Sequence, residues 1–308
     1  MPPYRTRLAP SPTGLLHLGH ARTSLVAWLR ARSQGGSVVM RIEDLDTPRV
    51  REGAAAAICR DLRWLGLDWD EGPDVGGPLG PYVQSERRSF YDEALAVLER
   101  EGWVYPCTCT RREIQAIASA PHDDEGPRYP GLCRDRPRHP SRPASLRFRL
   151  AEPSPGFEDA VHGWSGPGLT GGDFVVRRAD GLHAYQLAVV VDDAAMAITE
   201  VVRGDDLLTS TPRQIALYRA LELPEPAWLH VPLVLGPDGR RLSKRHGAVT
   251  IADYREAGWS PERVLGMLAA SLDLAPSNAE RAAVDLIGTF DPARIPRDPT
   301  TLAPPLPR

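Results

Sequence analysis

The chain contains 308 residues, of which 42% are hydrophobic and 25% charged, and its formal net charge is −3. These proportions are ordinary for a soluble globular protein of one or two domains. The slightly negative charge argues against binding of nucleic acid through overall charge, which leaves a local basic patch for that purpose.

The sequence shows no signal for secretion or membrane insertion. The first seven residues lack an apolar core, and the best apolar run, Leu187 to Val191, is too short to cross a bilayer. Three of the four cysteines fall between Cys107 and Cys133, which is more typical of a metal site in a reducing compartment than of a disulfide framework. We therefore expect a cytoplasmic protein.

Near the start, an apolar, strand-like approach leads through a Pro-Thr-Gly turn to the sequence His-Leu-Gly-His, which contains His17, Gly19 and His20. The apolar spacing predicts a helix from Ala21 to Arg32. A strand followed by a turn and a helix start directs backbone N–H groups and the positive end of the helix dipole to one point, which suits a phosphate. Taken alone, this short motif is equally well interpreted as a βα turn with two chance histidines.

A second buried strand, around Val38 to Ile42, ends in three carboxylates: Glu43, Asp44 and Asp46. Ligands of an open α/β sheet sit outside the carboxyl ends of its strands, so these side chains are candidates for a site. For Asp44 and Asp46, an acidic loop that caps the next helix is an equally good interpretation.

The rest of the chain alternates between segments with the apolar spacing of a helix and segments with that of a strand. Further helices are predicted over residues 52–65, 86–101, 210–221, 251–257 and 261–272. Further strands are predicted over residues 144–150, 173–177, 183–193, 196–206 and 229–235. Residues 103–172 are Pro-rich and weakly periodic, which is typical of an inserted module, and the stretch from Pro292 predicts a weakly structured tail.

Residues 144–150 alternate apolar and basic residues, as an exposed strand does. Six arginines on and before this strand form a basic cluster: Arg134, Arg136, Arg138, Arg142, Arg147 and Arg149. The cluster could follow a nucleic-acid backbone, and a solvated basic loop is an equally good interpretation.

A second glycine-flanked motif, Arg241-Leu-Ser-Lys-Arg245, follows the last predicted strand. Lys244 is a mobile charge that could neutralise a polyphosphate, and Ser243 is a further donor. Alone, the motif indicates a basic surface loop. Together with the His-Leu-Gly-His turn it favours ATP chemistry in which a carboxylate attacks the α-phosphorus and pyrophosphate departs, with no covalent nucleophile.

These two motifs resemble the paired signatures of class I aminoacyl-tRNA synthetases. Residues 6–14 and 41–44 are similar to the glutamyl branch, and residues 185–193, 202–205 and 242–247 match further blocks of it in the same order. The resemblance implies an α/β fold with a Rossmann-type parallel sheet, split by a zinc-containing acceptor-type insertion and followed by a short helical C-terminal subdomain. The boundaries implied are 1–84 and 183–235 for the two catalytic halves, 85–182 for the insertion, and 236–308 for the signature loop and helical tail.

The resemblance also implies roles for individual residues. Two arginines would bind the two carboxylates of glutamate, a glutamate would accept from its amino group, and the others would give hydroxyl, backbone or aromatic contacts. This set is Arg7, Ala9, Ser11, Glu43, Tyr185 and Arg203. ATP would be bound, and its leaving pyrophosphate stabilised, by His17, Gly19, His20, Ser243 and Lys244. The catalytic residues among them would be His17, His20 and Lys244.

A full glutamyl-tRNA synthetase continues into a large helical anticodon-binding domain, for which the short segment after His246 leaves no room. The chain therefore resembles the short glutamyl-Q tRNA(Asp) synthetases. That family activates glutamate with ATP and Mg²⁺ and attaches it to the queuosine base in the anticodon loop of tRNA(Asp). The alternatives are a glutamyl-tRNA synthetase core that charges a tRNA 3′ end, and a tRNA-binding relic with a dead ATP site. We expect a monomer.

Four residues match the zinc site of this family, in which a tyrosine is the fourth ligand: Cys107, Cys109, Tyr129 and Cys133. Two thiolates one residue apart and a third downstream suit tetrahedral Zn²⁺, which would stabilise a loop-rich module without its own core. His122 or His139 could take the place of the tyrosine, and a metal-free thiol cluster is the alternative.

Overall fold

The structure is a computed structural model that describes residues 3–117, 128–236, 239, 249–277 and 279–302. Its α-helices in this part are α1 (Leu18–Ser33), α2 (Ala54–Trp64), α3 (Arg88–Arg100), α4 (Arg111–Ile117), α5 (Tyr185–Ala195), α6 (Thr211–Ala220), α7 (Ile251–Glu256) and α8 (Pro261–Ala270). Its strands are β1 (Arg5–Leu8), β2 (Ser37–Met40), β3 (Val104–Cys107), β4 (Ser145–Phe148), β5 (Phe157–Asp159), β6 (Gly163–Ser165), β7 (Phe174–Arg177), β8 (Glu200–Gly204), β9 (Ala227–Val231), β10 (Val234–Leu235) and β11 (Thr300–Thr301). None of the helices in these ranges is long and apolar enough to cross a membrane.

Two parallel strand pairs form the base of the fold. Strand β1 pairs with β2 through α1, and β8 pairs with β9 through α6. The two pairs lie side by side, because Thr199 N–H donates to Arg5 O at 2.9 Å and the Thr6 hydroxyl donates to Glu200 O at 2.8 Å. The carboxyl ends of β1 and β8 therefore lie close together, as the sequence predicts for an open α/β sheet.

The inserted stretch forms a separate antiparallel sheet in the order β3-β4-β7. Strand β4 is its central strand, and this corrects the prediction of an exposed strand. Leu146, Arg147 and Phe148 are all buried. The Phe148 ring stacks on Trp103, with ring centroids 5.8 Å apart, and the Arg147 guanidinium lies 4.0 Å from the centre of the Tyr129 ring. Both faces of the strand are thus covered, which the alternating pattern did not indicate.

Residues 183–193 were predicted to form a strand, and this prediction is wrong, because Tyr185 begins helix α5. Every residue from Leu187 to Asp193 is buried, and the helix packs between α3 and α6. A short, wholly buried apolar run has no periodicity that separates helix from strand. The slight helix penalty of its valines is outweighed by burial.

The described part of the predicted tail, residues 292–302, has little regular structure, a short 3-10 helix (Pro292–Arg294) and strand β11, but it packs against the rest of the fold. Strand β11 pairs with β10 in parallel, in the register Val234↔Thr300. Buried Arg22 of α1 donates to Ser271 O at 2.8 Å and to the Thr300 hydroxyl at 3.2 Å. The described residues up to 302 are therefore tied to the first helix.

Candidate active site

A cleft of about 670 Å³ opens at the carboxyl ends of β1, β8 and β9 and at the start of α1. Every predicted glutamate or ATP residue that the structure describes lines it: Arg7, Ala9, Ser11, His17, Gly19, His20, Glu43, Tyr185 and Arg203. Strand topology is the cause, since β1 and β2 deliver the first of these residues and β8 delivers Arg203. The side chains are far apart in sequence and share one cavity.

Arg7 is held at the base of the cleft by a buried carboxylate. Its Nε donates to Asp193 Oδ1 at 3.1 Å, and its Nη1 donates to Val202 O at 2.9 Å. Asp193 also accepts from Arg41 Nη1 at 2.6 Å. Burial alone would raise the pKa of Asp193, but Arg41 and Arg7 outweigh it and hold that pKa below its usual value. Arg7 is therefore fixed in orientation before any ligand binds.

Glu43 follows β2 and enters the cleft beside the same arginine. Its Oε1 accepts from Arg41 Nη2 at 2.9 Å, and its backbone N–H donates to Pro10 O at 3.0 Å. Burial raises the pKa of Glu43 even with Arg41 against it. A carboxylate in this position can accept a hydrogen bond from an ammonium group in the cleft.

Arg203 of β8 is a second buried arginine that lines the cleft. Its Nη1 donates to Gln214 Oε1 at 2.7 Å and lies 3.5 Å from the Tyr185 hydroxyl, which also lines the cleft. Burial lowers the pKa of Arg203. Two buried arginines at one cavity, Arg7 and Arg203, can bind a ligand with two carboxylates.

Another part of the cleft is formed by the start of α1, which begins at Leu18 with His17 as its N-cap. A Cβ atom added to Gly19 would meet nothing within 4 Å, so the space beside the backbone is open to a ligand. His17 forms a bridge with Thr250, and Ile251 N–H donates to Leu16 O at 2.9 Å. Helix α7 thus supports the turn that presents the first backbone N–H groups of α1.

Ser243 and Lys244 lie outside the described residues, together with the rest of the predicted Arg241–Arg245 motif. The described chain on both sides of this motif is at the cleft. Val234 lines the cavity, and Thr250 pairs with His17.

Asp44 and Asp46, the other two acidic candidates, do not line the cleft. Asp44 accepts from the Ser85 backbone N–H at 2.8 Å and from the Ser85 hydroxyl at 2.7 Å. Asp46 lies 3.3 Å from Arg178 Nη1. Both side chains fasten the loop after β2 to other segments of the chain, and Asp46, the N-cap of the short 3-10 helix that follows, makes no side-chain capping bond.

The three clustered cysteines meet, with their Sγ atoms within 4.8 Å of one another. Cys109 and Cys133 Sγ are 3.6 Å apart, and thiolates on a tetrahedral zinc with Zn–S bonds of about 2.3 Å would be about 3.8 Å apart. Tyr129 Oη lies 3.3 Å from Cys107 Sγ and 3.7 Å from Cys109 Sγ. The donor set and its spacing therefore fit a tetrahedral zinc.

Neither histidine considered as the fourth zinc ligand is placed at the cysteine group by the described part of the chain. His139 is not in the cysteine group, and its Nε2 lies 3.4 Å from Glu113. His122 falls outside the described residues.

Four of the six arginines of the basic cluster contact partners within the inserted module. Arg134 pairs with Asp173 at 2.6 Å and Arg142 with Glu113 at 2.8 Å. Arg147 is buried and donates to Asp173 O at 2.9 Å, while Arg149 lies over the Tyr105 ring. Only the remaining pair, Arg136 and Arg138, is exposed without an ion pair within the described part of the chain.

The sequence alone did not single out the residues that hold Arg7 and Glu43 in the cleft. Arg41 and Asp193 lie inside the matched blocks, but nothing in the pattern assigns them a role. If residues 185–193 had been predicted as a helix, Asp193 would have been a candidate, because it lies about two turns after Tyr185 on the same side of that helix.

The family model described as tRNA synthetases class I (E and Q), catalytic domain, matches residues 3–280. A glutamyl-Q tRNA(Asp) synthetase of Symbiobacterium thermophilum is 56% identical over 306 residues, which cover 96% of this chain and 95% of that protein. A glutamate–tRNA ligase 2 of Alkalilimnicola ehrlichii is 45% identical over 94% of this chain but only 63% of its own length.

Among solved structures, a glutamate tRNA ligase of Elizabethkingia meningosepticum in complex with its amino acid is similar. It superposes with a TM-score of 0.81 at 31% identity, over 97% of this chain and 66% of the ligase. The catalytic fold is thus that of the class I tRNA synthetases, with mixed α/β sheets. The chain belongs to the class I tRNA synthetases for glutamate and glutamine and, within them, to the glutamyl-Q tRNA(Asp) synthetases, and it is an ATP-dependent ligase.

Proposed function

We propose that this chain activates glutamate with ATP and transfers the glutamyl group to the queuosine base at the anticodon wobble position of tRNA(Asp). The observation that carries the proposal is a cleft lined both by two buried arginines, Arg7 and Arg203, and by the start of α1. The relative of nearly equal length, 56% identical, bears the name of this activity.

In the first step, an oxygen of the glutamate α-carboxylate attacks the α-phosphorus of ATP, and the bond to pyrophosphate breaks. Arg7 and Arg203 bind the two carboxylates, Glu43 accepts from the amino group, and Ala9, Ser11 and Tyr185 complete the wall. His17, Gly19 and His20 stabilise the phosphates with the backbone N–H groups of α1. Ser243 and Lys244 complete this charge stabilisation, and Mg²⁺ accompanies the nucleotide.

In the second step, the queuosine base attacks the glutamyl carbonyl and AMP leaves. The cleft needs no protein nucleophile for either step, because orientation and charge stabilisation lower both barriers.

Zn²⁺ binds Cys107, Cys109, Cys133 and Tyr129 in this proposal. The support is the short S–S and S–O separations, together with backbone donors to one thiol. Burial alone would raise the pKa of Cys133, but hydrogen bonds from backbone N–H groups such as that of Arg138 bring it to about 6. A thiolate is the form that zinc binds, and the ion would stabilise the module around β3.

The test uses labelled glutamate and ATP with tRNA(Asp) that contains or lacks queuosine, in each case with and without the 3′-terminal adenosine of the tRNA. We expect glutamate-dependent ATP–pyrophosphate exchange without tRNA, and labelling of tRNA(Asp) that requires queuosine but does not require the 3′-terminal adenosine. Labelling of tRNA(Glu) that requires its 3′-terminal adenosine would instead establish the second candidate, a glutamyl-tRNA synthetase core. That candidate is favoured by the 45% identity to part of a glutamate–tRNA ligase.

A further inference from the structure

Arg203 has two kinds of hydrogen bond. Each of its nitrogens makes one short bond to a residue outside the cleft lining: Nε to His230 Nε2 at 3.0 Å, Nη1 to Gln214 Oε1 at 2.7 Å and Nη2 to the Thr211 hydroxyl at 2.8 Å. The longer bonds, from Nη1 to the Tyr185 hydroxyl at 3.5 Å and from Nη2 to Leu207 O at 3.3 Å, go to cleft-lining residues. The guanidinium is thus held by three residues outside the cleft lining, and its two terminal nitrogens also contact residues that line the cavity.

All these acceptors are neutral, and in the described part of the chain no carboxylate lies within ion-pair distance of Arg203. Arg203 is only 5% exposed. A buried cation without an anionic partner is unfavourable, and a carboxylate of the ligand would supply the missing charge. Before a ligand binds, the orientation of Arg203 must therefore be set by its neutral hydrogen-bond partners.

The anchor at Nε depends on the tautomer of His230. An arginine Nε can only donate, so His230 Nε2 must accept, and the ring proton must be on Nδ1. Nδ1 lies 2.6 Å from Asp159 Oδ2, and the same oxygen accepts the His230 backbone N–H at 3.0 Å. Asp159 Oδ1 accepts from the backbone N–H groups of Val161 and His162 at 3.0 and 2.9 Å.

A protonated imidazole would direct a second N–H at Arg203 and would push the guanidinium away. Burial prevents this, because it lowers the pKa of His230 to about 4 against the opposing effect of Asp159. The ring is also enclosed by aromatic side chains, with Trp228 stacked on it at a centroid distance of 6.4 Å.

We propose that Asp159 and His230 are positioning residues for substrate glutamate: the carboxylate fixes the imidazole tautomer, and the imidazole fixes Arg203 toward a substrate carboxylate. This inference rests on the proposed function, since it takes glutamate as the ligand. Asp159 ends β5 and His230 lies in β9. Strand β5, within the inserted stretch, would thus contribute to amino-acid binding without touching the substrate.

The decisive comparison is His230→Gln against His230→Asn, measured by glutamate-dependent ATP–pyrophosphate exchange without tRNA. A glutamine amide can place its oxygen where Nε2 lies and still accept from Arg203, whereas the shorter asparagine reaches only the Nδ1 position. We expect His230→Asn and Asp159→Asn to raise the KM for glutamate about tenfold to a hundredfold, since a hydrogen bond to a charged group is lost. His230→Gln should stay within about threefold of wild type.

The KM for ATP should be unchanged in every variant, which separates positioning from a general loss of structure. Asp92→Asn is the control, because it alters another His–Asp pair, with His183 at 3.0 Å, that does not line the cleft. Asp159→Asn, nearly isosteric, decides the question if a His230 variant fails to fold.

Equal KM values for the two His230 variants, or an unchanged KM in Asp159→Asn, would overturn the positioning role. Wild-type protein without glutamate-dependent exchange would overturn the proposed function and the positioning role together. Exchange without queuosine-dependent labelling would overturn only the transfer step, and the variants would still decide the role of Asp159 and His230.

Discussion

The substitution Asp193→Asn tests the buried charges at the base of the cleft. Three arginines and three carboxylates with little solvent exposure form one network of ion pairs: Arg7, Arg41, Arg87, Glu43, Asp192 and Asp193. Their formal charges cancel. Asparagine keeps the shape of the side chain but leaves this buried network with one positive charge in excess.

Removal of one partner from a buried ion pair costs about 3–5 kcal/mol, and we expect the free energy of unfolding of Asp193→Asn to fall by about that amount near neutral pH. The measurement is urea unfolding followed by tryptophan fluorescence. Asp180→Asn is the control, because Asp180 pairs with Arg178 at 2.7 Å on the surface, and its loss should leave the unfolding midpoint unchanged.

The pH dependence provides a second test of the same reasoning. The pKa of Asp193 is lower in the folded chain than its usual value, so its contribution is present above the unfolded pKa and is lost as the pH falls through the folded one. The difference between wild type and Asp193→Asn should be constant above about pH 5 and shrink below about pH 4. A difference under about 1 kcal/mol at neutral pH, or one that grows on acidification, would refute the reasoning.

Three further substitutions test other parts of the structure. We expect wild type to carry about one equivalent of zinc, Cys133→Ser to lose it and Cys59→Ser, outside the cluster, to keep it; equal metal content by mass spectrometry would contradict the site. Gly19→Ala should keep or raise the thermal midpoint, since a helix favours alanine and the added Cβ meets no protein atom, yet raise the KM for ATP about tenfold because the methyl group lies in the proposed ATP site. Arg22→Met should lower the free energy of unfolding by about 2–4 kcal/mol through the buried acceptors it leaves unpaired; a loss below about 1 kcal/mol in urea would show that these bonds contribute little.

The residues alone single out Glu43, because it directly follows a predicted strand and ligands of an α/β sheet sit outside the strand ends. The helix start after the Pro-Thr-Gly turn singles out His17, Gly19 and His20 in the same way. Arg7 and Arg203 lie within strands β1 and β8, and only the resemblance to the glutamyl branch predicted a role for them.

The partners behind these residues could not be predicted in this way. Asp159 lies 71 positions from His230, and Asp193 lies in an apolar run that fits a strand as well as a helix. Their pairing follows from packing between segments, which a local pattern does not encode. The docking of the tail could not be predicted for the same reason, because Thr300 and Arg22 meet only in the folded chain.

The two neighbouring carboxylates of α5 point to different parts of the molecule. Asp192 accepts from Gln84, Arg87 and Tyr91 at 2.6–2.9 Å, at the entry to the inserted stretch, while Asp193 holds Arg7 in the first strand. Adjacent residues of one helix cannot move independently, so α5 links the position of α3 to the position of Arg7 at the base of the cleft.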